Sequence, residues 1–343
     1  MSIERCIIGD LTLDSGVVLP EAFLSYTTYG TYDPINPNTV IVFHALTGTA
    51  NASEWWSGII GEGKSINPQD HFVICFNSLG SCYGSIGPEC PDASGKKYGK
   101  NFPKITIRDI ARSQLLALEQ LGIDHAVLGI GGSMGAMVLL ELALLKPDLF
   151  DSIISIACGA LHTAWRLAFS SVIRKTIEAF GNDDASYVNG MKLARQIAMT
   201  SYRCDAEFES RFARLQRNEK FEVENYLEHQ GGKIAARFSP YSYLRLTEAM
   251  ESYDLCAGRD RDLSNTLSAI SSEVLCIGID SDILYPEAEI KALASSFPSA
   301  TYKTLHALHG HDSFLVDEQE LATLIIDHIP TPTIALQLEE VAA

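Results

Sequence analysis

The sequence predicts an α/β protein: a doubly wound, mostly parallel sheet interrupted by an inserted helical cap. Three observations carry this reading. Short, continuous apolar runs recur through the first half of the chain, as expected of parallel strands covered on both faces. A capped amphipathic helix separates two of them. Over residues 160–261 strand character disappears, and it returns afterwards.

The elements follow in order. Residues 6–29 read as antiparallel strands broken at Asp14-Ser15-Gly16. Ile41-Val42-Phe43 closes a β-rich run, and Phe72-Val73-Ile74-Cys75-Phe76 is a second buried strand. A helix starts at Thr106, which caps it, with Asp109 three residues later near the positive end of the dipole. Ile107, Ile110, Ala111, Leu115, Leu118 and Leu121 form its apolar stripe, and Gly122 stops it. Residues 126–130 and 153–157 are further strands. Residues 160–261 are helical, charged and rich in Arg, Glu and Tyr. Strand character resumes at 274–279 and 300–305, and a final helix is expected over 317–328. The expected division is a sheet core of residues 1–159 and 262–330, a helical cap of 160–261 over its catalytic face, and a tail of 331–343.

Composition excludes some functions. Of the 343 residues, 26 are Lys or Arg and 43 are Asp or Glu, a formal net charge of −17. A reader of nucleic acid needs a basic face, and no Lys/Arg run supplies one, so nucleic acid is not an expected partner. A small anion remains compatible, because one well-placed Arg binds it locally. The opening MSIERCIIGD has neither a basic n-region nor an apolar h-region, and no apolar run reaches spanning length, so neither export nor membrane insertion is expected. The eight cysteines show no CxxC or zinc spacing and several fall in apolar runs. They are expected to be free, buried thiols in a reducing cytoplasm. No metal site and no dinucleotide fingerprint is present.

The strongest chemical signal is Gly131-Gly132-Ser133-Met134-Gly135, directly between a strand and a helix-like run. GxSxG in that context is a nucleophile elbow: the turn is too tight for side chains beside the serine, whose hydroxyl then projects at a helix N-terminus. Such a serine needs a base, and the base an acid, which the α/β-hydrolase fold supplies in the chain order Ser, Asp/Glu, His. Asp280 and Asp282 follow one returning strand, and His306, His309 and His311 follow the next. Spacing does not choose between the acids. Among the histidines, His311, after Gly310 and before the last helix, is best placed to reach the sheet's carboxyl edge. The oxyanion donors would be the Met134 N–H and one from the loop Phe43-His44-Ala45-Leu46-Thr47-Gly48.

With these blocks in view, the chain resembles the homoserine O-acetyltransferases, acyltransferases on the α/β-hydrolase fold. His44-Ala45-Leu46-Thr47-Gly48 is similar to the family's HALTG loop, and residues 77–88 to its N-x-LG-x-CYGS-x-GP stretch. Residues 102–109 resemble its FP-x-ITIRD segment, and GGSMG at 131–135 its elbow. Residues 281–286 resemble its SD-x-L-(Y/F)-P motif and 310–315 its GHD-x-FL. The six blocks keep the family's order across about residues 20–328. The departures lie at Ala136 and Val138 behind the elbow, in a shortened insert before Glu54-Trp55-Trp56, and in the cap around residues 181–187 and 237–243.

The resemblance implies that Ser133, Asp282 and His311 form the triad, with Leu46 and Met134 as oxyanion donors. It implies an amino-acid site in which Asp312 holds the substrate ammonium and Arg174 its carboxylate. The implied reaction is acetyl transfer from acetyl-CoA, a co-substrate and not a tightly bound cofactor, to the hydroxyl of L-homoserine, by a ping-pong acyl-serine route. A homodimer through the cap helices is implied too. Serine as acceptor, succinyl-CoA as donor, and an esterase passing the acyl group to water are the alternatives. A non-catalytic binding module would be expected to have lost a triad member, and none is missing here.

Overall fold

The computed structural model describes residues 3–181 and 183–330. The chain opens with an antiparallel pair, β1 (Glu4–Thr12) and β2 (Val18–Tyr29), followed by β3 (Thr39–Phe43), a short α1 (Ala52–Trp55) and β4 (Phe72–Phe76). Helices and strands then alternate: α2 (Ile107–Gln120), β5 (Ala126–Gly132), α3 (Met134–Leu145) and β6 (Phe150–Ile156). Next come α4 (Ala164–Phe180), α5 (Asp184–Tyr202) and α6 (Asp205–Arg211). A small ribbon of β7 (Gln216–Arg217) and β8 (Lys220–Phe221) leads to α7 (Glu222–Ala235), α8 (Pro240–Glu251) and α9 (Leu263–Leu267). The main sheet resumes with β9 (Glu273–Ile279), α10 (Glu287–Ser296) and β10 (Thr301–Leu305), and α11 (Ser313–Val316) and α12 (Glu318–Ile325) follow.

The eight-stranded sheet has the order β1-β2-β4-β3-β5-β6-β9-β10. Its β1–β2 and β2–β4 pairs are antiparallel and the others parallel. β3, β4 and β5 are apolar almost throughout and buried, because both sheet faces are covered. On one face lie α2 and α3, and on the other α1 and α12. The edge strand β1 alternates between exposed and buried residues instead.

Register decides where chemistry can be placed. Phe43 at the end of β3 pairs with Gly131 near the end of β5, so the 44–48 loop and the Ser133 turn leave the sheet side by side. Ile279 at the end of β9 likewise pairs with Leu305 at the end of β10. Four loops thus emerge at the carboxyl edge of the parallel strands, where open α/β sheets place their ligands.

Two helices behave as their sequences dictate. The Thr106 hydroxyl accepts the Asp109 N–H at 3.0 Å while the Asp109 carboxylate accepts the Thr106 N–H at 3.0 Å, a reciprocal cap on α2. α3 is apolar all round because it is enclosed by the sheet and α2, apart from Glu141. The Glu141 carboxylate accepts from Arg108 at 3.2 Å and from Arg259 at 2.7 Å, tying α2 and the end of the helical stretch to α3.

The expected single helix over 317–328 is divided. Asp317 leaves helical dihedrals, and its carboxylate is held on His309 Nδ1 at 2.9 Å; α12 then ends at Ile325 and a tight turn, Ile326–His328, follows. The tail at 331–343 lies outside the described residues. Among those described, all eight cysteines are free, and no helix is long and apolar enough to cross a membrane.

Candidate active site

Ser133 sits at the junction of β5 and α3 with φ 54° and ψ −123°, a left-handed conformation costly for a residue with a Cβ. Its N–H is anchored on Ile156 O at 2.9 Å. The flanking glycines are steric necessities: a Cβ on Gly131 would stand 2.7 Å from the backbone of Gly135, and one on Gly132 would stand 2.5 Å from the Phe314 ring. The elbow is therefore a strained turn wedged between β6 and the loop after His311.

The Ser133 hydroxyl lies 2.8 Å from His311 Nε2, and His311 Nδ1 lies 2.6 Å from Asp282 Oδ2. Asp282 Oδ1 accepts the N–H groups of Leu284 and Tyr285, each at 2.8 Å. A carboxylate has no proton to give, so Nδ1–H donates to it and Nε2 is left as acceptor for the serine O–H. The imidazole is gripped by its surroundings: Tyr285 stacks on it at 4.9 Å and 21°, and Phe314 meets it edge-on at 5.7 Å. Gly310, at φ +63°, lets the histidine loop pass the end of α5, where a Cβ would meet Tyr202 O at 2.8 Å. This arrangement is chemically competent for general-base activation of the serine.

The competing acid and histidines are placed elsewhere. Asp280 pairs with exposed His306 at 2.8 Å, and His309 with Asp317 at 2.9 Å. Each pair latches loops together, and neither His306 nor His309 is bonded to Ser133.

The 44–48 loop is braced from two directions. The Ser78 N–H donates to His44 Nε2 at 3.0 Å, so the proton sits on Nδ1, which donates to Ala45 O at 2.8 Å. Burial pushes the His44 imidazole down to about 4, keeping it in that neutral form. Asn77 takes the Ala50 N–H at 2.8 Å and donates to Tyr83 O at 2.8 Å. From the helical stretch, Arg237 donates to Thr47 O at 2.6 Å and to the Tyr83 hydroxyl at 2.8 Å. Neither the Leu46 nor the Met134 N–H donates to another group among the described residues.

A cavity of about 80 Å³ is lined by Leu46, Ser133, Arg195, Tyr202, His311 and Asp312. Asp312 thus lies beside Ser133 and His311. Its carboxylate caps no helix and pairs with Arg203 at 3.3 Å.

Arg174 is not brought to this cavity. It donates to Glu251 at 2.7 Å and faces Glu178 at 3.7 Å, lining a separate cleft with Ser15, Lys104 and Glu248. Its charge is answered there by two acids, and the structure does not bring it to the cavity where the resemblance implied it would meet the substrate carboxylate. The cation in the cavity is Arg195 on α5, which the sequence reading missed. A signal existed: Arg195 interrupts a stripe otherwise made of buried Met191, Ala194 and Ala198.

Comparison with known proteins agrees with the fold. A family model described as the alpha/beta hydrolase fold matches residues 38–317. The homoserine O-acetyltransferase of Nostoc punctiforme is 41% identical over 326 residues, covering 91% of this chain and 92% of the relative. The chain belongs to the homoserine O-acetyltransferase family. Among solved structures, the family member from Staphylococcus aureus superposes with a TM-score of 0.82 at 27% identity, covering 100% of this chain and 97% of that one. An acetylester hydrolase from Corynebacterium glutamicum has a TM-score of 0.86 at 20% identity, with 96% of each chain covered, a likeness of fold alone. The fold alone therefore does not separate an acyltransferase from an ester hydrolase.

Proposed function

We propose that the protein transfers an acetyl group from acetyl-CoA to the γ-hydroxyl of L-homoserine through an acetyl-Ser133 intermediate. The observation that carries this reading is the placement of Arg195 and Asp312 in one small cavity with Ser133. A free α-amino acid presents an ammonium and a carboxylate a few ångströms apart, and a cation and an anion beside the nucleophile suit both. An ester hydrolase, whose acceptor is water, has no use for such a pair.

In the first half-reaction His311 Nε2 takes the Ser133 proton as Oγ bonds to the thioester carbon. The Leu46 and Met134 N–H groups receive the oxyanion, each such donor being worth about 2.7–4 kcal/mol of barrier. As the carbon–sulfur bond breaks, the imidazolium returns the proton to the departing CoA thiolate. Asp282 holds the imidazole in the tautomer both steps need. In the second half Nε2 takes the proton of the homoserine hydroxyl, whose oxygen attacks the acetyl carbon, and Ser133 leaves with a proton restored. Arg195 binds the acceptor carboxylate and Asp312 its ammonium. Acetyl-CoA is a co-substrate, and the scheme uses no resident cofactor.

Rapid mixing with acetyl-CoA tests this. The expected result is a burst of CoA equal to the enzyme, an acetyl group on the Ser133 peptide by mass spectrometry, and discharge on adding homoserine. Steady CoA release at full rate without homoserine would make water the acceptor and sink the transferase reading. Serine and succinyl-CoA belong in the same assay as rival acceptor and donor.

The proposal extends to organisation. Residues 160–261 act as a cap on a core of 1–159 and 262–330. The exposed apolar side chains of Trp165, Val172, Phe180 and Leu193 on α4 and α5 support a homodimer through this face, which sedimentation would test. A cytoplasmic setting accords with eight unpaired thiols.

A further inference from the structure

Arg166, on the first turn of α4, is only 1% exposed, an unusual place for a guanidinium. Two of its four contacts bear on the segment that carries the catalytic acid, and a third lies just beyond it. Nη1 donates to Leu284 O at 3.1 Å. Nη2 donates to Glu289, at the start of α10 just beyond that segment, at 2.7 Å, and to Leu161 O at 2.8 Å. The guanidinium carbon stands over the Tyr285 ring, 4.2 Å from its centroid.

The same two residues grip the triad from their other sides. The N–H groups of Leu284 and Tyr285 hold Asp282 Oδ1, and the Tyr285 ring stacks on His311 at 4.9 Å. Tyr285 thus contacts both the guanidinium of Arg166 and the imidazole of His311 through its ring. Arg166 does not touch Ser133; it lines a small cavity next to the one around Ser133, the two sharing Leu46, Tyr202, Met250 and Leu284.

We infer that Arg166 is a positioning residue: by clamping Leu284 and backing the Tyr285 ring, it fixes the acid loop and the plane of His311 so that Nε2 stays aimed at Ser133. The guanidinium suits this task because it is flat enough to stack on a ring while its fork reaches two carbonyls and a carboxylate at once. Lysine has one donor centre and cannot do all of these together.

The inference rests on the triad reading above, and its test separates the two. In full-length protein, Arg166→Met is expected to slow single-turnover acetylation of Ser133 by about 100-fold, the scale of a misplaced reacting group, with the KM values for acetyl-CoA and homoserine unchanged. Arg166→Lys should fall in the same direction by about 10-fold, and it carries the test if the Met variant does not fold. The far-downfield proton resonance of the His311–Asp282 hydrogen bond should broaden or move in both variants. A double variant with Tyr285→Leu should be slower by clearly less than the product of the two single losses, because the two share the ring contact. Full acetylation rate with only a lower melting temperature would overturn the inference. So would a raised KM at constant rate, or additive losses in the double variant. If wild-type Ser133 accepts no acetyl group, the transferase reading fails, and the proton resonance still decides the role of Arg166 because it needs no turnover.

Discussion

A Cβ placed on Gly135 would stand 2.1 Å from the carbonyl oxygen of Phe43 and 3.1 Å from that of His44. The helix behind the nucleophile therefore rests on the backbone of the loop that presents Leu46, and one contact sets the spacing of serine and oxyanion donor. Gly135→Ala must push the two apart. Overpacking of this kind costs about 1–3 kcal/mol of stability, and a displaced donor costs about 100-fold in acylation. Urea unfolding and the CoA burst measure both, and a wild-type burst rate in the Ala variant would refute the shared-contact argument.

Asp282→Asn keeps the shape of the acid but not its chemistry. The amide oxygen can still accept from Leu284 and Tyr285, which leaves the NH₂ facing His311 Nδ1. Nδ1 must then lose its proton and Nε2 gain one, the wrong tautomer for a base. The rate is expected to fall about 10⁴-fold with little change in melting temperature. A loss below tenfold would argue that the carboxylate does not orient the imidazole.

Arg195 and Arg174 make opposite predictions. Arg195→Met should raise the KM for homoserine by about 10- to 100-fold, the worth of a charge-assisted hydrogen bond, and leave the acceptor-free CoA burst intact. Arg174→Met should leave both unchanged and lower only stability, since its partners are Glu251 and Glu178. Saturation kinetics in homoserine separate them. The reverse outcome would restore Arg174 as the carboxylate site.

Two buried histidines make the fold acid-sensitive. Burial lowers His44 to about 4, and burial with Arg166 nearby lowers His162 to about 4. Between those values and the ordinary 6.5 the unfolded chain binds more protons than the folded one, so stability is fully present above about pH 6.5 and is lost as pH falls toward 4. Each contributes up to about 3 kcal/mol. The urea midpoint should drop across this window, and His44→Asn should flatten the slope. A midpoint constant from pH 7 to 4.5 would contradict the burial argument.

β3 to β6 and β9 were legible because each is a short apolar run, and α2 because its cap is written in Thr106 and Asp109; the β7–β8 ribbon, two residues a side, was not. The triad was legible in order but not in identity. Asp280 and His306 follow immediately on β9 and β10, whose ends are in register, so they meet each other at the sheet edge. Asp282 and His311 lie further out on their loops, and that reach brings them to Ser133. Arg174 misled because a helical stretch without strands offers no frame for deciding which face of a helix turns inward. Glu178 one turn on and Glu251 on α8 settle that face, and the latter is remote in sequence. Asp317 looked like a helix start and is one, but its bond to His309 also breaks the helix in front of it.

The order of the loops along the chain carries one more consequence. Ser133 and the 44–48 loop are encoded before α4, whereas Asp282 and His311 come after α9. In a chain growing from its N-terminus the elbow sequence is made while both groups that arm it are still untranslated. Until β9 is laid against β6 and β10 against β9, that hydroxyl has only the reactivity of an ordinary alcohol. The serine is made early and harmless, and only the last part of the chain arms it as a nucleophile.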